Sequence, residues 1–203
     1  EIYTLSLHDA LPISIHTRRA VLLAAHPIPL VYGPTGVPRL LVRALDLVPP
    51  GSLDAGWILA NIGWFAGTND GDYEGANRAF ERALDIARRY EDRALERRIL
   101  IQAARVDWWH LQLDGSVAKS TRALELAQDA GDQQAELYAR AWLVREAAMR
   151  GSSSEAQAHA AVSLELAERL RERYWLATAR VNEFWLAYAA GDWMNRIGRA
   201  SCR

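Results

Sequence analysis

His110 stands between two acidic residues in a stretch that predicts a helix, with Asp107 three positions before it and Asp114 four positions after it. Residues three and four apart lie on one face of a helix, so these three side chains could hold a metal ion together. A site of that kind needs a second histidine or a motif such as HExxH, and neither accompanies these residues. A solvated polar helix face explains the pattern better, and we predict no metal and no cofactor.

A second stretch has the outline of a nucleotide site. The apolar residues 29–32 lead into Gly33-Pro34-Thr35-Gly36, as a strand leads into the phosphate loop of a nucleoside triphosphatase. That loop needs a final glycine, a lysine and a Ser or Thr, and the corresponding residues are Pro38, Arg39 and Leu40. The residues that would bind phosphate and magnesium are therefore missing. We predict a proline-rich connection between helices.

No other pattern favours catalysis. Cys202 is the only cysteine, and His16, His26 and His159 are isolated in the sequence. The acidic residues lie mainly where they would cap helices or form i, i+4 pairs, with no apolar setting that would shift a pKa for acid–base work. We predict a protein that is not an enzyme, with no catalytic or cofactor-binding residues.

Composition excludes two further classes. The formal net charge of −1 lacks the strong basic excess typical of nucleic-acid-binding faces. No apolar run approaches the roughly 20 residues that would span a bilayer. We therefore expect no direct contact with nucleic acid, no membrane insertion and a cytoplasmic location.

The elements that would position these residues recur along the chain. Arg43-Ala44-Leu45-Asp46 returns in variant form at residues 82–85, 122–125 and 162–165. Gly71-Asp72-Tyr73 reappears as Gly191-Asp192-Trp193, three intervals of about 40 residues later. Such periodicity is typical of a helical repeat array, and it predicts an all-α fold built from hairpins of about 40 residues.

Each hairpin pairs a first helix rich in tryptophan with a second helix carrying small residues. Predicted first helices are Leu53 to Ala66, Ala94 to Leu113, Gln134 to Arg150 and Arg173 to Ala190; a second helix runs from Arg39 to Leu47. Ser52 and Asp72 are predicted N-caps, and Gly67 to Gly71 should close the helix that runs from Leu53 to Ala66. We expect the rings of Trp108, Trp109, Trp142, Trp175 and Trp185 to pack between hairpins, with either Trp108 or Trp109 the more exposed.

Ala76, Phe80 and Ala83 share one face of a second helix. The same positions in later copies are small: Ser116, Ser120, Ala123, Ala156, Ala160 and Ser163. Small residues there allow the helices of a hairpin to approach closely. On the solvent side, Asp85 with Arg89 and Glu165 with Arg169 are predicted i, i+4 ion pairs.

The two ends have a different character. Residues 1–13 resemble the translation of a common sequencing adapter, and residues 197–203 resemble its opposite strand. We therefore expect residues 1–14 and 197–203 to be adapter-derived tails, residues 15–38 to be a partial helix with a Pro/Gly-rich loop, and residues 39–196 to be a truncated repeat array. Uncapped repeat ends would expose apolar surface, which predicts self-association.

The Ala76-Phe80-Ala83 face resembles the second-helix signature of the tetratricopeptide repeat, which implies a right-handed α-α superhelix. Together with residues 44–50, 71–76 and 123–127, it is similar to the repeat region of LuxR-type, MalT-like ATP-dependent transcription regulators of bacteria. That resemblance implies a sensor segment that binds an inducer or a partner protein. Two alternatives stay open: the regulatory repeats of a cyclase-like or kinase-like enzyme, or a free-standing peptide-binding adaptor.

Overall fold

The structure is a computed structural model that describes residues 37–171 and 173–192. The predictions for residues 1–36 and 193–203 lie outside the described residues. Within the described part, every regular element is helical, which confirms the all-α prediction. The elements are α1 (Val37–Leu47), α2 (Leu53–Phe65) with a π-helical turn (Ala66–Asp70), α3 (Tyr73–Arg89), α4 (Arg93–Trp109), α5 (Leu113–Asp129), α6 (Gln133–Met149), α7 (Ser153–Leu170) and α8 (Arg173–Ala189).

The helices follow one another with a constant spacing. The starts of α2 to α8, at positions 53, 73, 93, 113, 133, 153 and 173, are evenly spaced. Two consecutive helices therefore form one repeat of about 40 residues, a length typical of helical repeat units. A residue with positive φ recurs once per helix: Gly51, Gly71, Glu91, Leu111, Gly131, Gly151, Arg171 and Gly191. A left-handed residue just past a helix lets the following amide bond back to the last turn, so these turns fix the repeat length.

Helix starts are fixed by side-chain caps at the same spacing. Ser52 Oγ accepts a hydrogen bond from the Ala55 amide at 3.2 Å. Asp72 Oδ1 accepts one from the Gly75 amide at 2.8 Å. Asp92 and Asp132 cap α4 and α6 in the same way. These bonds confirm the predicted caps at Ser52 and Asp72, because they satisfy amides that the helix leaves without partners.

Two predicted helix ends were wrong. The helix predicted to reach Leu113 ends at Trp109, and Leu111 takes φ 58° in the turn that follows. The stretch from Gly67, predicted to close the α2 helix, continues as a π-helical turn as far as Asp70. A Cβ on Gly67 would lie 2.4 Å from Val106 Cγ1, so glycine allows this turn to approach α4 closely.

The chain divides into two compact units, Glu1–Trp109 and His110–Arg203, called unit 1 and unit 2. In unit 1 the core lies among α1 to α4 and includes Trp64, Phe80, Ile99 and Val106. In unit 2 a cluster around Leu137, Leu166 and Trp175 joins α6, α7 and α8.

The two units repeat the same pattern of burial. Residues 81–100 and residues 121–140 show the same sequence of buried, half-buried and exposed positions, residue for residue. The small-residue face is buried as predicted, with Ala76, Ser116 and Ala156 each 0% exposed. The repeat is therefore present in the structure as well as in the sequence. None of the helices in the described ranges combines the length and apolarity needed to cross a membrane.

Candidate ligand-binding groove

In the structure, Asp107, His110 and Asp114 do not come together as a metal site. Asp107 is fully buried on α4, and its carboxylate accepts a hydrogen bond from the Tyr73 hydroxyl at 2.9 Å. His110 lies in the turn after α4, and Asp114 lies in α5. Because α4 ends at Trp109, the continuous helix face that would align the three residues is not formed. The described residues hold no group of three or more His, Cys, Asp or Glu that could bind a metal.

The Tyr73–Asp107 bond instead ties α3 to α4 inside unit 1. Burial raises the pKa of the Tyr73 hydroxyl, and the hydrogen bond and negative charge of Asp107 raise it further, while a hydrogen bond with Asn77 acts in the opposite direction. The hydroxyl therefore stays protonated and remains a donor to the carboxylate.

Of the phosphate-loop-like stretch, residues 33–36 lie outside the described residues. Val37, Pro38, Arg39 and Leu40 form the first turn of α1. Proline is well suited to the start of a helix, where its missing N–H costs nothing.

The first-helix tryptophans are mostly packing residues. Trp142 and Trp175 are 7% and 5% exposed, and Trp108 and Trp185 are half-buried. Trp109 is 47% exposed, so it is the more exposed member of the adjacent pair that the sequence singled out. The Trp175 ring meets the Tyr138 ring edge to face, with centroids 4.2 Å apart.

A groove of about 400 Å³ opens in unit 1 between α1 and α3, over α2. Its floor is apolar, with Ala55, Leu59 and Ile86 buried beneath the half-buried Leu45. Concave sites that hold small ligands usually enclose roughly 300–1,000 Å³ and combine an apolar lining with a few polar groups. The groove has both the volume and the floor of such a site.

The walls of the groove carry charge. Arg82, Asp85 and Arg89 line it from α3, with Ile86 between them, because residues at i, i+3, i+4 and i+7 share one helix face. On the opposite side the lining comes from Asp46 and the turn at Pro50 and Gly51.

Gly51 shapes the groove in two ways. Its φ of 73° turns the chain from α1 into α2. A Cβ there would lie 3.0 Å from Arg89 Nη1, so the missing side chain gives the guanidinium room to sit over the turn. The glycine and the arginine stand far apart in the sequence, so no local pattern identifies this contact.

The two groove arginines make no ion pair within the described part of the chain. The predicted Asp85–Arg89 pair is wrong: Asp85 instead pairs with Arg88, at 3.2 Å and outside the groove lining. Asp46 and Asp85 are the carboxylates of the lining, and Arg82 and Arg89 are the guanidinium groups that it offers to a ligand. Guanidinium groups bind carboxylates through paired N–H donors.

Other copies of the repeat do not keep this arginine pair. One repeat after Arg82 and Arg89 stand Arg122 and Asp129, and two repeats after them stand Val162 and Arg169. Among these copies the arginines occur together in unit 1. The arginine pair is therefore a property of this hairpin and is not required by the repeat.

Unit 2 has a polar cluster of its own. Arg140 on α6 donates from Nε to Glu136 Oε1 at 2.8 Å, and its Nη2 lies 2.7 Å from the same oxygen. Its Nη1 lies 3.3 Å from His159 Nδ1 on α7. Burial lowers the pKa of His159, the Arg140 charge lowers it further, and Glu155 opposes both effects. A neutral His159 can accept from Arg140, whereas a protonated one cannot.

This cluster predicts a loss of stability in mild acid. Because the pKa of His159 is lower in the folded state than in the unfolded chain, the unfolded state binds the proton first as the pH falls below about 6.5. The stabilisation is complete above that pH and declines below it. We expect the urea midpoint to fall between pH 7.5 and pH 5.5 and the His159→Gln variant to show a smaller fall. A His110→Gln variant is the control, and an unchanged pH dependence in His159→Gln would contradict the prediction.

Comparisons with known proteins assign no family to the chain. No protein-family model matches it, and a search of the curated proteins found no match.

Proposed function

We propose that this chain is a non-catalytic helical-repeat scaffold that binds a ligand with an apolar body and a carboxylate in the groove of unit 1. The ligand is a peptide segment of a partner protein or a small acidic inducer. The observation that supports this proposal is the pair of arginines, Arg82 and Arg89, which stand without ion-pair partners in the described structure over a buried apolar floor.

The proposal extends to the arrangement of the hairpins and to the parent protein. The helical hairpins stack as a tetratricopeptide-like, right-handed superhelix, and the array is the sensor segment of a cytoplasmic LuxR-type transcription regulator. Two features support it: the even spacing of the hairpins, and the burial of Ala76, Phe80 and Ala83 at the positions that carry the repeat signature. In such a sensor, ligand binding in a groove between hairpins would alter how neighbouring helices pack.

Binding is tested with a defined probe. The probe is a pool of synthetic hexapeptides with Leu, Ile or Phe at alternate positions and Asp or Glu between them, titrated by calorimetry into the full chain. We expect the Arg82→Ala/Arg89→Ala variant to bind the pool at least about tenfold more weakly, since charged hydrogen bonds contribute roughly 1.5–3 kcal/mol each. A second pool with Asn and Gln in place of the acids should bind weakly to both proteins.

A matched control removes the same charge elsewhere in unit 1. Arg78 on α3 and Arg93 at the start of α4 are exposed and do not line the groove. The Arg78→Ala/Arg93→Ala variant has the same net charge as the groove variant, and it should retain most of the affinity. Equal losses in the two variants would mean that the pool responds to overall charge, and the groove proposal would be rejected.

The sensor role is tested in the source DNA, by sequencing outward from the codons for residues 60–180. A phosphate-loop domain upstream and a helix-turn-helix downstream would support a LuxR-type regulator. A catalytic module downstream would instead place the repeats in a signalling enzyme, and the sensor proposal would fail while the groove proposal stood.

A further inference from the structure

One face of α8 presents a row of apolar side chains to solvent. Tyr174, Val181, Phe184 and Tyr188 are 44%, 51%, 45% and 49% exposed, and Ala177 is exposed among them. These five residues follow a 3-4-3-4 spacing, which places them along one side of the helix. They are called the stacking face. An apolar row of this length on a water-soluble surface usually marks an interaction site.

The same register is buried one repeat earlier. On α6 the residues equivalent to Ala177, Val181, Phe184 and Tyr188 are 1%, 2%, 0% and 1% exposed; they are Leu137, Ala141, Val144 and Ala148. The equivalent face of α6 is therefore covered from Leu137 to Ala148, whereas Gln134, the equivalent of Tyr174, is exposed.

The residues that cover this face of α6 come from the next two helices. Leu137 and Ala141 pack with Leu166 and Ala167 of α7 and with Trp175 of α8. Farther along the helix, Ala148 packs with Ala156 of α7, and Trp185 of α8 packs against them. A helical hairpin, and not a single helix, therefore covers this register.

The chain leaves α6 and α8 through turns of the same geometry. Gly151 and Gly191 have φ of 76° and 71°. Each glycine amide donates to a carbonyl three residues back at 3.0 Å, and the next amide donates five residues back at 2.9 Å and 2.8 Å. The end of α8 thus has the local structure that, after α6, leads into the covering hairpin.

We infer that the stacking face of α8 binds a helical hairpin of the same repeat type, whose first helix carries small residues at i and i+7. The small residues are required because Ala76, Ser116 and Ala156 at the first of these positions, and Ala83, Ala123 and Ser163 at the second, are at most 1% exposed. In this sequence Arg196 and Arg203 stand one repeat after Ala156 and Ser163, so the hairpin that fits best has a different sequence.

The experiment supplies such a hairpin to the chain directly after α8. Residues 73–112, which follow Asp72 in unit 1, are added after Asp192 in place of residues 193–203. In unit 1 this hairpin follows Trp64 and Asp72. Phe184 and Asp192 are the residues at the same repeat positions near the end of α8, so the hairpin would meet an equivalent surface there. We expect the extended chain to unfold at a higher urea concentration than the original. We also expect the double substitution Val181→Glu/Phe184→Glu to raise the unfolding equilibrium constant of both chains. The factor of increase should be at least ten times larger in the extended chain than in the original chain.

The control is the extended chain with Ala76→Arg in its added copy, which should lose the gain in urea midpoint. Because the substituted residues are exposed, the original chain should tolerate the glutamates, and circular dichroism checks that it stays helical. Equal effects of the glutamates in both chains would overturn the inference. So would sedimentation showing that the original chain is a dimer which Phe184→Glu converts to a monomer, since a second copy would then occupy the face.

Discussion

Trp64→Ala is expected to lower the free energy of unfolding by about 3–5 kcal/mol, the range typical of large-to-alanine changes in a closed core. Trp64 is 0% exposed, and its ring meets Phe65 edge to face with centroids 4.5 Å apart. The guanidinium of Arg105 lies over the ring, 5.0 Å from its centroid. Alanine would remove both contacts and leave a cavity in the core of unit 1.

Trp64→Phe separates the role of the ring from that of its N–H group. Nε1 of Trp64 has no hydrogen-bond partner in the described structure. Phenylalanine would remove this buried donor and keep most of the apolar contact, and the equivalent residue in α8 is Phe184. The cost of Trp64→Phe should therefore be well below that of Trp64→Ala.

Urea unfolding followed by circular dichroism measures these effects, with Trp109→Ala as the control. Trp109 is 47% exposed, so its loss should change stability by less than about 1 kcal/mol. The prediction is contradicted if Trp64→Ala and Trp109→Ala destabilise the protein to the same extent.

Much of the fold could be predicted from sequence because it depends on local chemistry. The caps at Ser52 and Asp72 need only an oxygen acceptor three residues before an amide, and the structure contains both bonds. The repeat period can be read directly from short segments that recur in the sequence. The helix end at Trp109 could not be predicted, because the turn that follows it places a leucine, Leu111, at φ 58°, and a leucine gives no glycine-like signal of a turn.

The polar contacts inside the units depend on residues distant in sequence. The Gln102 amide of α4 meets the Asn61 amide of α2, with 2.8 Å between the facing atoms. The orientation that satisfies both ends of the Gln102 amide has its nitrogen donating to the Ala60 carbonyl at 3.0 Å and its oxygen accepting from Arg98 Nε at 3.1 Å. Neither pairing can be read from helical periodicity, because periodicity specifies which residues face inward and not which ones meet.

The candidate groove was missed for the same reason. The sequence assigned Arg89 to Asp85 by helix spacing, but Asp85 bonds to Arg88, while Arg89 approaches Gly51. An exposed arginine has several partners within reach that differ little in energy. The tertiary position of the α1–α2 turn decides which of these contacts forms.

Ser116 and Ser120 have a second role that was not part of the prediction that small residues stand at these positions. Both were expected to be small so that helices could approach, and both are buried. Their hydroxyls also donate to Oε1 of Glu146, which is 0% exposed on α6, and the Ser120 bond measures 3.0 Å. One repeat earlier the equivalent residues are Ala76, Phe80 and Val106, so the same site is filled there by apolar side chains.

Glu146→Leu is therefore expected to lower the free energy of unfolding by about 2–4 kcal/mol. Leucine has a similar volume, but it would leave two buried hydroxyls without their acceptor, and an unsatisfied buried polar group costs about 1–3 kcal/mol. Adding Ser116→Ala and Ser120→Ala should recover most of this loss, because an apolar replacement of all partners is often close to neutral.

Urea unfolding of the triple variant gives the decisive measurement. Glu146→Gln is measured beside it; this variant keeps an acceptor oxygen, so it should lower the free energy of unfolding by less than Glu146→Leu does. Recovery in the triple variant would show that the carboxylate matters because the serines need an acceptor. A triple variant as unstable as Glu146→Leu would show that Glu146 stabilises unit 2 by other contacts. The hydroxyls would then be dispensable, and the serines would matter for their size alone, as alanine does at the equivalent positions 76 and 156.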